Sequence, residues 1–210
     1  MIFPTIKSNI DRIQNLPFQP SEGQVSEMNR LTNWLVECYK SVEIPALNFI
    51  CTHNSRRSHI GQFWGAVLPY WLELPIVNSF SGGTEVTACH PNTLKALAAF
   101  GVEVNTLTEG VNPPYELKLG AEIPAIEAWS KLYTDEANPK QNFAAIMTCT
   151  SADKGCPFVE GASVRISLPF TDPKHADGTS GEAEAYQHTI QEIGQVMLAI
   201  FHQVKAQLAK

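Results

Sequence analysis

Four short runs, each followed by a stretch with helical spacing, limit most strongly what this chain can become. Residues 46–50, 76–80, 143–148 and 163–168 read as strands. Between and around them, apolar residues fall three and four apart. Met28, Leu31, Trp34, Leu35 and Cys38 mark a helix over about 24–39, and Ile60, Phe63, Trp64, Val67 and Leu68 one from Arg57. A third spans Pro91 to Phe100, with proline in its first turn and Gly101 past its end. A long terminal helix covers 182–208, its stripe running from Ile190 to Val204. Strands alternating with helices specify a parallel sheet covered on both faces. The expected fold is therefore α/β and three-layered, with a central four-stranded parallel sheet. Residues 46–210 form the main domain. Residues 1–45 are an N-terminal helical extension, with one helix expected. A turn is expected at Ser81-Gly82-Gly83, and a helix near 123–132 inside the proline-rich stretch 107–141.

Ligands of such sheets bind beyond the carboxyl ends of the strands. Cys51, Ser81, Cys149 and Asp172 all fall there on this reading. Composition removes several alternatives. With 15 Lys+Arg against 21 Asp+Glu, a net charge of −6 and no basic run, neither nucleic acid nor an anionic membrane surface is expected as a partner. No apolar run approaches the roughly 20 residues of a membrane span, and the first residues lack the pattern of a signal peptide. Five cysteines do not make a disulfide framework, so a cytoplasmic, reducing location is expected. Each cysteine is then either a small core residue or a reactive group. Cys38 lies on an apolar helix face and Cys89 reads as structural. Adjacent Cys89 and His90 diverge and do not make a metal pair, so neither a metal nor a cofactor is expected. His59, His175, His188 and His202 read as solvated or partly buried, and the four tryptophans as packing residues.

The segment Cys51-Thr52-His53-Asn54-Ser55-Arg56-Arg57-Ser58 sits between a strand and a helix. Backbone N–H groups of such a loop converge on one point and form an anion nest. The helix N-terminus adds partial positive charge. Arg57 offers a planar fork to a tetrahedral oxyanion. Such surroundings also favour the thiolate, so Cys51 is the candidate nucleophile. Ser58 is placed to donate to that thiolate, Asn54 to hold the loop shape, and Arg56 to add a second positive charge.

This loop resembles that of the low-molecular-weight protein tyrosine phosphatases and of the thioredoxin-coupled arsenate reductases that share their fold. Their pattern is Cys-x-Gly-Asn-x-x-Arg-Ser, which Cys51, Asn54, Arg57 and Ser58 match. His53 stands where the pattern has glycine. Asp172-Pro173 resembles the family's Asp-Pro pair, which implies that Asp172 lies over the site as a proton donor. The phosphatases carry aromatic residues directly after that pair, whereas here the sequence is Lys174-His175-Ala176.

Cys149-Thr150-Ser151-Ala152-Asp153-Lys154-Gly155-Cys156-Pro157 resembles the redox segment of the arsenate reductases. The resemblance implies a relay in which Cys51 attacks arsenate, Cys149 then forms a disulfide with Cys51, and Cys156 takes it over as Cys149–Cys156. Thioredoxin or a similar thiol would reset the enzyme. Arsenate reduction is therefore the leading expectation. A phosphatase using only Cys51, Arg57 and Asp172 is the alternative, and an oxyanion sensor without turnover a third.

Overall fold

The strand 46–51 is almost wholly apolar, the pattern of a strand whose two faces are both covered by helices. In a computed structural model describing residues 1–156 and 158–210, β1 (Ala46–Cys51) pairs in parallel with β2 (Asn78–Gly83) on one side and with β6 (Phe143–Met147) on the other. β7 (Ala162–Ser167) adds in parallel to β6, giving the order β2-β1-β6-β7. The central sheet is thus four-stranded and wholly parallel, as expected. Leu47, Phe49, Ile50, Ala144, Ala145 and Ile146 are all but inaccessible, the state of strands covered on both faces.

Helices α3 (Arg57–Leu72), α4 (Pro91–Phe100), α5 (Thr150–Gly155) and α6 (Glu182–Leu208) complete the alternation. α4 and α6 match the expected bounds, because each has a strong apolar period and, in α4, Pro91 at the start with Gly101 at φ 109° closing the end. The layers meet around Phe63, Trp64 and Phe100, whose rings pack edge to face. Trp64 also donates from Nε1 to the Ile190 carbonyl of α6 at 2.9 Å. Gly194 of α6 lies flat against that ring: a Cβ there would fall 2.3 Å from Trp64 Cζ2. The variant Gly194→Ala is therefore expected to lose about 1–3 kcal/mol from overpacking, read as a lower denaturant midpoint at unchanged m.

Three local expectations are corrected. The N-terminal extension holds two helices, α1 (Pro4–Gln14) and α2 (Glu22–Lys40). Ile6, Ile10 and Ile13 of α1 join the same core as Leu31 and Leu35 of α2 and Ile193 of α6. α1 leaves little sequence signal because its three isoleucines are its whole apolar stripe. The helix expected near 123–132 is instead a short strand, β5 (Ile126–Ala128), at the edge of a separate antiparallel sheet with β3 (Glu103–Thr106) and β4 (Tyr115–Lys118). Ile126 and Ala128 point inward and Glu127 outward, a period of two that the prolines obscure. Finally, residues 81–83 are not a turn but the end of β2. Gly82 is required there by close approach, since a Cβ would lie 2.4 Å from Tyr133 Cα.

Candidate active site

Cys51 closes β1 and α3 begins at Arg57, so the five residues between them must turn through the space above the sheet. The turn depends on Asn54, the one loop residue at positive φ (44°). Its side chain is buried and used at both ends. Oδ1 accepts from the main-chain N–H of Lys131 at 2.9 Å, and Nδ2 donates to Ser58 Oγ at 2.9 Å. Asparagine tolerates this region better than most residues. The strain therefore falls on Asn54, and His53, outside it, accommodates a side chain where the family pattern has glycine. His53 Nε2 lies 3.3 Å from Glu85, and its carbonyl accepts from Thr87 and Ser130.

The N–H groups of His53, Asn54, Ser55 and Arg56 donate to no protein acceptor among the described residues. That is the arrangement an anion nest requires. Cys51 Sγ is 3.1 Å from Ser58 Oγ. Because Ser58 Oγ already accepts from Asn54, its own proton is free to point at the sulfur. Arg57 spans from the loop to the segment after β7. It donates through Nη1 to the Phe170 carbonyl at 2.9 Å and pairs through Nη2 with Asp172. Its Nε is buried without a partner among the described residues. A buried donor left unpaired is costly, and here it belongs to the one guanidinium beside the nest. Asp172 uses its other oxygen to accept from the Lys174 N–H, which fixes the carboxylate over Arg57.

Arg56 behaves differently from expectation. Its guanidinium turns away, donating to Asp177 at 2.6 Å and to the Tyr186 hydroxyl at 2.7 Å. Tyr186 in turn donates to Asp177 and meets His90 Nδ1 at 3.1 Å. Burial pushes the Tyr186 hydroxyl up to about 12, and the bonds from Tyr186 and Arg56 hold the Asp177 carboxyl below its ordinary range despite burial. The second positive charge is thus balanced inside the protein, where it locks the loop to α6. His59 is also corrected: it is wholly buried, bonded to the Asn54 carbonyl and to Ser81, and burial depresses its pKa to about 3. Ser81, expected at the site, is instead a support for His59 and Gln62.

Cys149 is buried, and its sulfur lies 3.4 Å from Thr52 Oγ1, one residue along the loop from Cys51. It also caps α5 by accepting from the Ala152 N–H. Cys156 ends α5, half-buried against the small apolar cluster that contains Cys51 and Cys149. Arg165 of β7 clamps this segment, donating to the carbonyls of Asp153 and Cys156 and to the Asp153 carboxylate. Pro157 lies outside the described residues. All five cysteines are free thiols. Cys89 is buried with its thiol pushed up to about 12 by burial, and Cys38 is also in the core. Among the described residues no cluster of three or more His, Cys, Asp or Glu side chains could hold a metal ion, and no helix is long and apolar enough to cross a membrane. Sequence reading placed Cys51, Arg57, Asp172 and Cys149 in one region. It missed the Phe170 carbonyl, Asp177, Tyr186 and Lys131, which carry no local pattern.

No family model matches the chain. It is 26% identical over 150 residues to an arsenate reductase of Bacillus licheniformis, covering 70% of this chain and 88% of that protein. It is 24% identical over 127 residues to arsenate reductase 2 of Staphylococcus epidermidis, covering 60% of this chain and 76% of that one. Among solved structures, the low-molecular-weight protein tyrosine phosphatase from T. tengcongensis superposes with a TM-score of 0.50 at 13% identity, over 75% of this chain and 98% of that one. The fold is that of the low-molecular-weight phosphatases.

Proposed function

We propose that this protein reduces arsenate to arsenite through a thiol–disulfide relay that begins at Cys51. The oxyanion binds in the nest of residues 52–57 with Arg57 as its fork. Cys51 gives up its thiol proton to Asp172 as its sulfur attacks arsenic, and Asp172 hands that proton to the departing arsenate oxygen, which leaves as water. The Cys149 thiolate then attacks the Cys51 sulfur. The sulfur–arsenic bond breaks, its electron pair stays on arsenic as arsenite, and a Cys51–Cys149 disulfide remains. Cys156 attacks Cys149 and frees Cys51 as a thiolate. An external dithiol of the thioredoxin class reduces the Cys149–Cys156 bond.

The observation that carries this reading is the contact between Cys149 and Thr52 beside the nucleophile. A phosphatase has no use for a thiol in that place. The arsenate reductases named above support the same chemistry. The final exchange also has a structural requirement. With α5 intact, Cys149 and Cys156 stand at opposite ends of a helix, about 10 Å apart at 1.5 Å per residue. A disulfide needs their Cα atoms within roughly 7 Å, so α5 must unwind and the Arg165 clamp must let go.

Cys149→Ser provides the test. Arsenate-dependent NADPH oxidation, coupled through thioredoxin and its reductase, is expected to fall at least ~100-fold, because the electron pair has no thiol source. Hydrolysis of p-nitrophenyl phosphate, if the wild type shows any, should stay within about threefold. Equal arsenate turnover by wild type and variant removes the relay. Ester hydrolysis without arsenate turnover in the wild type establishes the phosphatase alternative, which the Arg57–Asp172 pair also suits.

A further inference from the structure

Lys131 is the most unusual charged residue outside the Cys51 site. It is 3% exposed, yet its ammonium makes no hydrogen bond or ion pair among the described residues. Its contact is the face of Trp129, 3.9 Å from the ring centroid. Lys131 Nζ is not among the enclosed polar atoms that lack a partner, so the ammonium reaches the cleft while most of the side chain is removed from water, and an ammonium so placed without a contacting anion is disfavoured. Burial accordingly pulls its pKa down to about 8, against the opposing pull of Asp135 and Glu127. Its buried neighbours bring no negative charge: His59 is held neutral and Cys89 is held as the thiol.

Lys131 lines an open cleft of about 360 Å³ between α3, β2 and the β5 region. That volume is within the range of small-molecule sites. Its walls are largely apolar and aromatic, with Tyr70, Phe80, Ile126 and Trp129. Gln62, a polar group in the same wall, already spends its amide on the carbonyls of Ser79 and Glu127. The cleft therefore offers one cation, Lys131, and aromatic surface, with the Asn78 amide as a neutral donor and the Glu127 carboxylate, which faces outward, at its rim. A monoanion with a flat apolar body matches that set, whereas a phosphate dianion would remain half-neutralised. The cleft is separate from the oxyanion nest, since neither Arg57 nor residues 52–56 line it.

We propose that this cleft is a second ligand site, which binds a small aromatic carboxylate with its ring against Trp129 and Tyr70 and its carboxylate on Lys131. The inference does not depend on the reaction assigned to Cys51.

The test uses the full chain and 2-naphthoate as probe, with titration calorimetry at neutral pH. Wild type is expected to bind the acid at least ~10-fold more tightly than the neutral 2-naphthalenemethanol, the gain of one charge-assisted bond. Lys131→Met should weaken the acid at least ~10-fold while leaving the alcohol within about twofold. Ala125→Trp, at an exposed position on the rim, should weaken both without a change in thermal midpoint. Saturating inorganic phosphate should leave naphthoate affinity unchanged. The proposal is overturned if acid and alcohol bind equally, if both variants bind the acid as wild type does, or if phosphate displaces it, which would place the carboxylate in the Cys51 nest.

Discussion

Cys51→Ser should abolish turnover while leaving oxyanion binding in place. A hydroxyl at this position keeps the hydrogen bond to Ser58, but it is not ionised and cannot form the sulfur–arsenic bond. Loss of a covalent nucleophile costs many orders of magnitude elsewhere, and here at least ~10³-fold in kcat is expected for arsenate or for any phosphate ester. Binding rests on other groups: the N–H donors of residues 53–56, which have no protein acceptor among the described residues, and the Arg57 guanidinium. Phosphate should therefore raise the thermal midpoint of variant and wild type alike, as mass action on the folded state requires. Two results would sink this account. One is a variant with more than about a tenth of wild-type turnover. The other is a variant that folds but no longer responds to phosphate, which would make the thiol part of the binding site.

Arg57→Lys should produce the second-largest effect, and of a different kind. The guanidinium holds the Phe170 carbonyl and Asp172 while its Nε has no partner among the described residues. A lysine ammonium keeps the charge but not the planar fork, so it cannot serve the segment after β7 and an oxyanion together. We expect kcat/KM to fall about 10²–10³-fold, the cost of removing an oxyanion donor. Much of the loss should appear as weaker phosphate binding. Because Asp172 is oriented by the same guanidinium, Asp172→Asn added to the lysine variant should cost less than in the wild-type background. Strict additivity in that double-mutant cycle would disprove the coupling.

The loop from Cys51 to Ser58 was readable because its chemistry is contiguous. A nucleophile, a loop-shaping asparagine, a fork and a helix start follow one another, so covalent geometry alone brings them together. The bounds of α4 and α6 were readable for a related reason, since each has a strong apolar period and α4 also has Pro91 and Gly101 at its ends. A parallel sheet followed from the alternation of strand and helix, whereas its order β2-β1-β6-β7 was decided only by the packing. By contrast, α1 carries three apolar residues in eleven, and β5 is three residues long and closely preceded by Pro124. Neither contains enough repeats for a period to stand out.

Sequence by itself determined the layered α/β fold and the identity of the candidate nucleophile, fork, acid and two further thiols. Tertiary structure decided what surrounds them. It turned Arg56 away onto Asp177 and Tyr186, 121 and 130 residues distant. It buried His59 as a neutral support, moved Ser81 out of the site, and put Lys131 against Trp129 at the head of a separate cleft. The physical reason is range. A hydrogen bond between residues in sequence contact leaves a spacing that can be read, whereas a pairing across more than a hundred residues is fixed only by how the layers pack.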